Sequence, residues 1–330
     1  MITCDGVKVM LTRKSIEILP HYQVVDDKLM FIGKPSDDLK NDEINFLKWL
    51  SADDKDEYVP RTYENCIKGL SERGIIFLLP EEKIGKNRKT LIVAAHSDDT
   101  ALSLGGTLLK NFRDRDTTIL NVFSTCTSTV LKNLLRRYED ITYYNNREEE
   151  LFAKMIGAKL EFMNFPESGL RYKKWNDELD LKKDATLFEP VKERLLQYME
   201  LKPEYVFFPL GIGKHPDHIF LLEIFKNLFF SGKLDSIETF LYEDLPYAAE
   251  MSDDKIKKHL DEISGMVLKL RLVNITDVID DKMRLLSIYK TQYTPENLIP
   301  IMEYGKRLQT CSQASSLTYH ERLWIPVKEM

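Results

Sequence analysis

Two short polar clusters carry side chains able to do chemistry together: His96-Ser97-Asp98-Asp99 and His215-Pro216-Asp217-His218. Imidazole nitrogen and carboxylate oxygen are borderline-to-hard donors that suit zinc, with iron, cobalt and manganese open as alternatives. Three such donors on one ion leave a coordination position free for water and substrate, which is what catalysis requires of a metal site. A lone histidine reads more readily as a helix cap or a hydrogen-bonded core residue. Two of the chain's six histidines within one four-residue stretch weaken that reading. His21, His259 and His320 belong to no comparable His/Asp cluster and read as structural or solvated.

The elements that must position these clusters follow from the apolar patterning. Residues 90–95, 118–123, 159–163 and 205–210 read as strands, the first and last nearly continuous in apolar residues, as strands covered on both faces must be. Between and after them, residues 102–112, 143–156, 188–199 and 219–230 have helical spacing and length. The alternation predicts a Rossmann-like, doubly wound, mostly parallel sheet. In such sheets ligands sit beyond the carboxyl ends of strands, and both polar clusters fall there. Pro216 suits the first helical position because it needs no amide donor, which puts His215 at the N-cap and His218 in the first turn. His96 and Asp99, where the chain turns from strand to helix, are then able to reach one ion.

Ahead of this unit, residues 22–25 and 29–32 read as short strands, 42–50 and 62–73 as helices, and 74–79 as a further apolar run. We expect a small winged-helix-like α+β domain over residues 1–86 and a larger domain over 87–330, joined within the charged stretch 81–89. The polar stretch 172–185 reads as an exposed loop bordering the site.

Composition excludes several classes. The 330 residues hold 47 Lys and Arg against 53 Asp and Glu, a formal charge of -6, so nothing pulls the chain toward nucleic acid or anionic lipid. No apolar run approaches the ~20 residues of a membrane helix. The four cysteines are far apart and form neither a thiolate zinc knuckle nor a disulfide framework, which fits a cytoplasmic protein. Gly105-Gly106 falls inside a helix, so the chain lacks the G-x-G-x-x-G turn of a nucleotide-binding oxidoreductase.

The string AHSDDTALSLGGTL resembles the A-H-P-D-D-E-x-L-x-x-G-G-T-L signature of the PIG-L, or LmbE-like, zinc-dependent N-deacetylases, and GKHPDH resembles their second signature. Weaker matches (Arg147 and Glu150 with Ala153 and Gly157, FPESGL, LYEDLPY, ITDVIDDKMRLLSIYKTQ) extend the resemblance over residues 88–330. It implies that His96, Asp99 and His218 hold one zinc or other divalent ion and that Asp98 is the general base. His215 would then stabilise the transition state and protonate the leaving amine, with Asp217 orienting it. Arg147 and Glu167 would contact a substrate of the N-acetylglucosamine type, although Arg147 is equally placed to pair with Glu150 along its own helix. Two positions depart from the signature: Ser97 replaces its proline and Thr100 its acidic residue. Two other readings remain open, a deacylase of a natural-product or peptide-linked intermediate and a non-catalytic metal- or sugar-binding relative. The first 86 residues resemble the PqqD-like winged-helix units that bind peptides, and read equally as a packing module covering the larger domain.

Overall fold

The computed structural model describes the chain apart from residues 1, 5, 6, 10, 37, 53–56, 81–85, 114, 173–178, 181, 264, 309–316 and 329–330. Its centre is a seven-stranded sheet in the order Lys159–Phe162, Arg115–Asn121, Lys86–Ala94, Tyr205–Pro209, Glu238–Tyr242, His320–Lys328, Met266–Asn274. The first five strands run parallel, while the last two pair antiparallel. Leu91 to Ala94 and Val206 to Phe208 are buried throughout, because these central strands are covered on both faces. The helices Asp99–Asn111, Tyr138–Ile156, Ala185–Met199 and Pro216–Phe230 match the expected helical stretches, each starting three to five residues earlier than periodicity alone suggests and the first ending one residue sooner. Helix starts are set by caps and turns rather than by an apolar stripe, which is why they escape the pattern.

The chain winds outward from Lys86–Ala94 in one direction, then returns to place Tyr205–Pro209 on that strand's other side. The order therefore reverses between these two neighbouring parallel strands, which is where a doubly wound sheet opens a crevice at its carboxyl edge. His96 lies just beyond the first strand and His215 beyond the second. Sequence separation of more than a hundred residues thus becomes adjacency.

Two expectations shift. The central strand begins at Lys86, not at residue 90, with an irregular register between Lys86 and Lys89, so part of the charged stretch 81–89 belongs to the sheet and residues 81–85 lie outside the described residues. The stretch 172–185 is not simply exposed: Tyr172 and Asp184, at either end of it, are buried, while residues 173–178 and 181 lie outside the described residues.

The N-terminal segment forms its own apolar cluster, including Leu11, Ile16, Phe46, Leu47, Leu70 and Ile75. The helices Asn41–Leu50 and Glu64–Glu72 pack there with the antiparallel pair Ile16–Ile18 and Ile76–Leu78. A three-stranded antiparallel ribbon, Tyr22–Val25, Lys28–Phe31 and Lys34–Pro35, turns at Asp26-Asp27 and at Ile32-Gly33. All four turn residues have positive φ, as two-residue hairpin turns demand.

Candidate active site

The site is built from the two strand-to-helix turns. Asp98 caps the helix Asp99–Asn111 and has φ 140°, a conformation that L-residues avoid and that a surrounding structure must impose. Asp99 opens the helix, and its Oδ2 accepts the backbone N–H of His96 at 2.8 Å, folding the turn back on itself. Across the crevice His215 caps Pro216–Phe230, its Nδ1 accepting the Asp217 N–H at 3.3 Å, with Pro216 in the first turn and His218 buried behind it.

Three atoms converge at this point. His96 Nδ1 lies 3.2 Å from His218 Nε2, which lies 3.5 Å from Asp99 Oδ1, while His96 Nδ1 and Asp99 Oδ2 are 3.7 Å apart. Ligands about 2.0–2.1 Å from one tetrahedral ion stand roughly 3.3–3.4 Å from each other, so the spacing suits a small divalent cation. A looser triangle of His96, His215 and His218 has donor atoms within 4.8 Å of one another. The outward-facing nitrogens of both close histidines are tied to carboxylates: His96 Nε2 is 2.9 Å from Asp217 Oδ2, and His218 Nδ1 is 2.5 Å from Asp244 Oδ1. Carboxylate–histidine pairs of this kind fix the tautomer that presents the other ring nitrogen to a metal.

The electrostatics point the same way. Burial and the neighbouring Asp99 push Asp98 up to about 8, against the opposing pull of His96. Burial resists charging His96, yet its contact with Asp217 and the charge of Asp99 carry it up to about 10. Burial also opposes His218, and Asp99 and Asp244 raise it. His215 goes the other way, pressed down to about 2 by burial and by the charges of His96 and His218. A buried carboxylate raised by its charged neighbour, beside imidazoles that carboxylates draw toward protonation, marks a site short of positive charge.

These groups lie at the floor and walls of a cleft of about 770 Å³, whose lining includes His96, Asp98, Asp99 and His215 together with Glu167 and Tyr293. That volume suits a sugar-sized ligand. Glu167 is buried at its edge, its Oε1 accepting both the N–H and the hydroxyl of Thr127. Arg147 is elsewhere: it is exposed and donates to Glu150 Oε2 at 2.6 Å, the same-helix pairing that its spacing allows. Of that helix, Asn145 is the residue that lines the cleft. The expected role of Asp217 also changes. Its carboxylate turns away from His215, which is no nearer than 3.9 Å, and instead meets His96, the Ser168 N–H at 2.8 Å and Arg171 Nη1 at 2.7 Å.

Four residues outside the sequence expectations complete the site. Arg171 holds Asp217 while its remaining nitrogens grip Asp184. Asp244 holds His218 and also accepts the Ile212 N–H. Tyr293 donates its hydroxyl to Asp98 Oδ2 at 2.9 Å, and Tyr247 lines the cleft beside it. Asp244 and Tyr247 fall in LYEDLPY, which marks their presence but not their partners, while Arg171 and Tyr293 lie just past FPESGL and the stretch ending KTQ and carry no local signal. The two departures from the signature have different surroundings. Ser97 accepts from Asn121 Nδ2 at 2.6 Å and donates to Asn146 Oδ1 at 3.3 Å, whereas the Thr100 hydroxyl is buried with no hydrogen-bond partner among the described residues.

With this geometry in place, likeness to known proteins gains meaning. Residues 91–229, which include both polar clusters, match the PIG-L family model, described as GlcNAc-PI de-N-acetylase. The chain is 28% identical over 232 residues to a 2'-N-acetylparomamine deacetylase of Streptomyces fradiae, an alignment covering 68% of this chain and 81% of that protein. A 2'-N-acetylparomamine deacetylase of Niallia circulans is 23% identical over 251 residues, 67% of this chain and 81% of the relative. Among solved structures, a deacetylase of teicoplanin biosynthesis superposes with TM-score 0.60 at 19% identity, covering 73% of this chain and 98% of its own. At such low identity this likeness speaks for the fold, the mostly parallel α/β sheet described above.

Proposed function

We propose that the protein is a metal-dependent amide hydrolase that removes an N-acetyl group from an amino-sugar. The observation that carries this is the convergence of His96 Nδ1, Asp99 and His218 Nε2, within 3.7 Å of one another, beside a fourth carboxylate-bearing residue, Asp98, that stays outside the triangle. The two sugar deacetylases it resembles across most of its length support the choice of bond and of substrate class.

In this reading His96, Asp99 and His218 hold the ion, zinc by donor type, with other divalent metals compatible. Bound there, the ion would supply Lewis acidity to polarise the amide carbonyl and make water a usable nucleophile near neutral pH. Asp98, aligned by the Tyr293 hydroxyl, accepts the proton of the attacking water. His215 faces the cleft and stabilises negative charge developing on the carbonyl oxygen, an interaction realised in the transition state rather than in the bound substrate. The leaving amine takes the proton that Asp98 gained from the attacking water, or one from His215 where that ring is protonated. Asp217, with Arg171 behind it, keeps His96 oriented toward the ion. Glu167 stands at the cleft edge to receive hydroxyl or ammonium groups of a sugar; Arg147, exposed and paired with Glu150, lies among the weaker candidates for substrate contact. A winged-helix-like module over residues 1–86, whose last residue joins the central sheet and whose His21 packs on the larger unit, precedes the catalytic domain of residues 87–330, and the protein works in the cytoplasm.

The test is product-resolved mass spectrometry of zinc-loaded protein with a panel of N-acetylated amino-sugars, alongside a chelated control. Loss of one acetyl group that disappears on chelation is expected. Bound metal without any product across the panel would overturn the substrate assignment and shift weight to a natural-product or peptide-linked acyl substrate, or to a binding role.

A further inference from the structure

His21 lies more than seventy residues before the first metal-site residue and outside the family match, yet it reaches the back of the cleft. Its ring stacks between Phe31 of the N-terminal ribbon and Tyr144 of the helix Tyr138–Ile156, with centroids 5.5 and 5.2 Å away. Its Nε2 stands 3.0 Å from Glu148 Oε1, and both side chains are fully buried. Glu148 in turn accepts the Thr291 N–H at 2.8 Å and the Thr291 hydroxyl. The Thr291 carbonyl then accepts the Val130 N–H and the Thr129 hydroxyl, each at 2.8 Å, and Gln292 Nε2 donates to the Ser128 carbonyl at 2.9 Å. Two residues on, the Tyr293 hydroxyl meets Asp98. Thr291 to Tyr293 thus ties one cleft wall, Ser128 to Val130, to the proposed base, and the tie is anchored on a carboxylate that His21 contacts.

A second contact from the same ribbon supports the link. Ile32, whose backbone N–H donates to the His21 carbonyl at 2.9 Å, has φ 49°, a left-handed conformation that β-branched residues strongly avoid. Its side chain packs against the apolar cluster of Cys126, Leu135 and Ile141, together with Leu131 and Leu134 of the segment that forms the cleft wall. A strained turn persists only where its surroundings hold it, and here those surroundings are the underside of the cleft.

We propose that His21 is a positioning residue of the catalytic cleft, acting through Glu148 and Thr291 on the Tyr293 hydroxyl that aligns Asp98. The proposal rests on the reading of the site as an amide hydrolase, but the contact chain can be tested apart from turnover. His21→Phe keeps the ring stack and removes the close contact with Glu148, which is not aligned as a hydrogen bond; His21→Gln keeps a polar group beside Glu148. Non-additive coupling between contacting groups is the signature of one residue acting through another. On the most readily hydrolysed N-acetylated amino-sugar, His21→Phe is expected to lower kcat about tenfold, with His21→Gln recovering much of the loss. In a Tyr293→Phe background the same His21→Phe change is expected to cost less than about twofold. Equal losses in both backgrounds, or an unchanged kcat in a folded His21→Phe protein, would overturn the proposal.

Hydrogen exchange read by mass spectrometry gives the readout that needs no chemistry. His21→Phe is expected to speed exchange in peptides spanning 128–130 and 291–293, His21→Gln much less, with the strand Lys86–Ala94 unchanged in both. Uniform acceleration would instead mean global destabilisation, and no acceleration would mean no coupling; either overturns it. If the wild-type protein deacetylates nothing in the panel, the functional reading fails while the exchange result still decides the coupling.

Discussion

Two of the protein's buried clusters of charge are opposites. In the first, Lys282 Nζ donates to Glu321 Oε1 at 2.7 Å and to the Leu102 carbonyl at 2.6 Å, while Glu321 also accepts the N–H groups of Gly106 and Thr107. One cation meets one anion, and the remaining lone pairs find backbone donors, so the cluster is complete within the fold. In the second, Asp98, Asp99, Asp217 and Asp244 surround His96, His215 and His218, with Arg171 the one guanidinium in contact among the described residues. Asp98 is raised by burial and by Asp99, His96 and His218 are drawn toward protonation while His215 is held neutral, and the cluster opens on a cleft. A closed cluster holds structure together; one left short of positive charge, with room for a ligand, is arranged to receive a cation.

That contrast can be broken or sharpened by substitution. The largest expected effect on stability belongs to the closed cluster: Lys282→Met leaves Glu321 charged and buried, and should destabilise by about 3–5 kcal/mol in denaturant unfolding. Metal content of the folded fraction should not change, and a loss of metal there would erase the distinction. A smaller effect on folding but a specific one on metal is expected from Arg171→Met and Asp244→Asn, which loosen the groups that orient His96 and His218. Each should weaken metal affinity by about 10- to 100-fold in competition with a chelating dye, and unchanged affinity would show that the carboxylates do not orient the ligands. The smallest effect is at Thr100. Its hydroxyl is buried and unpartnered, so Thr100→Val, of nearly the same shape, should leave the melting temperature unchanged or raise it by a few degrees. A clear fall would mean that the hydroxyl has a partner in solution.

The same contrast explains what the sequence discloses. The strands and helices of the parallel half are legible because burial on both faces writes continuous apolar runs and helices write a 3.6-residue stripe. His96 with Asp99, and His215 with His218, are legible because each pair is local and sits beside a strand-to-helix turn. The strands Met266–Asn274 and His320–Lys328 escape the pattern because their antiparallel edge leaves Val267 and Leu270 exposed and gives no clean alternation, and the parallel strand Glu238–Tyr242 escapes it because its apolar run, Phe240 to Tyr242, is short. Arg147 and Asn145 show the limit of motif reading along a helix, where a shift of two residues exchanges the solvent face for the cleft. Asp217 illustrates another limit: its neighbours in sequence are histidines, yet its partners are His96, Ser168 and Arg171, fixed only when the sheet brings the turns together. His21 was read as structural or solvated, and nothing around it in sequence marks the contact with Glu148.

The measurement that bears most directly on the open cluster is metal stoichiometry beside turnover in wild type, His218→Ala and Asp98→Asn. The geometry predicts one divalent ion per chain in the wild type and its loss, with activity, in His218→Ala. Asp98→Asn should keep the ion and lose turnover by about 10²- to 10⁴-fold, since Asp98 stands outside the three-atom convergence and beside it. Full activity in Asp98→Asn, or a wild type that binds no metal yet hydrolyses the amide, would contradict the assignment of these residues.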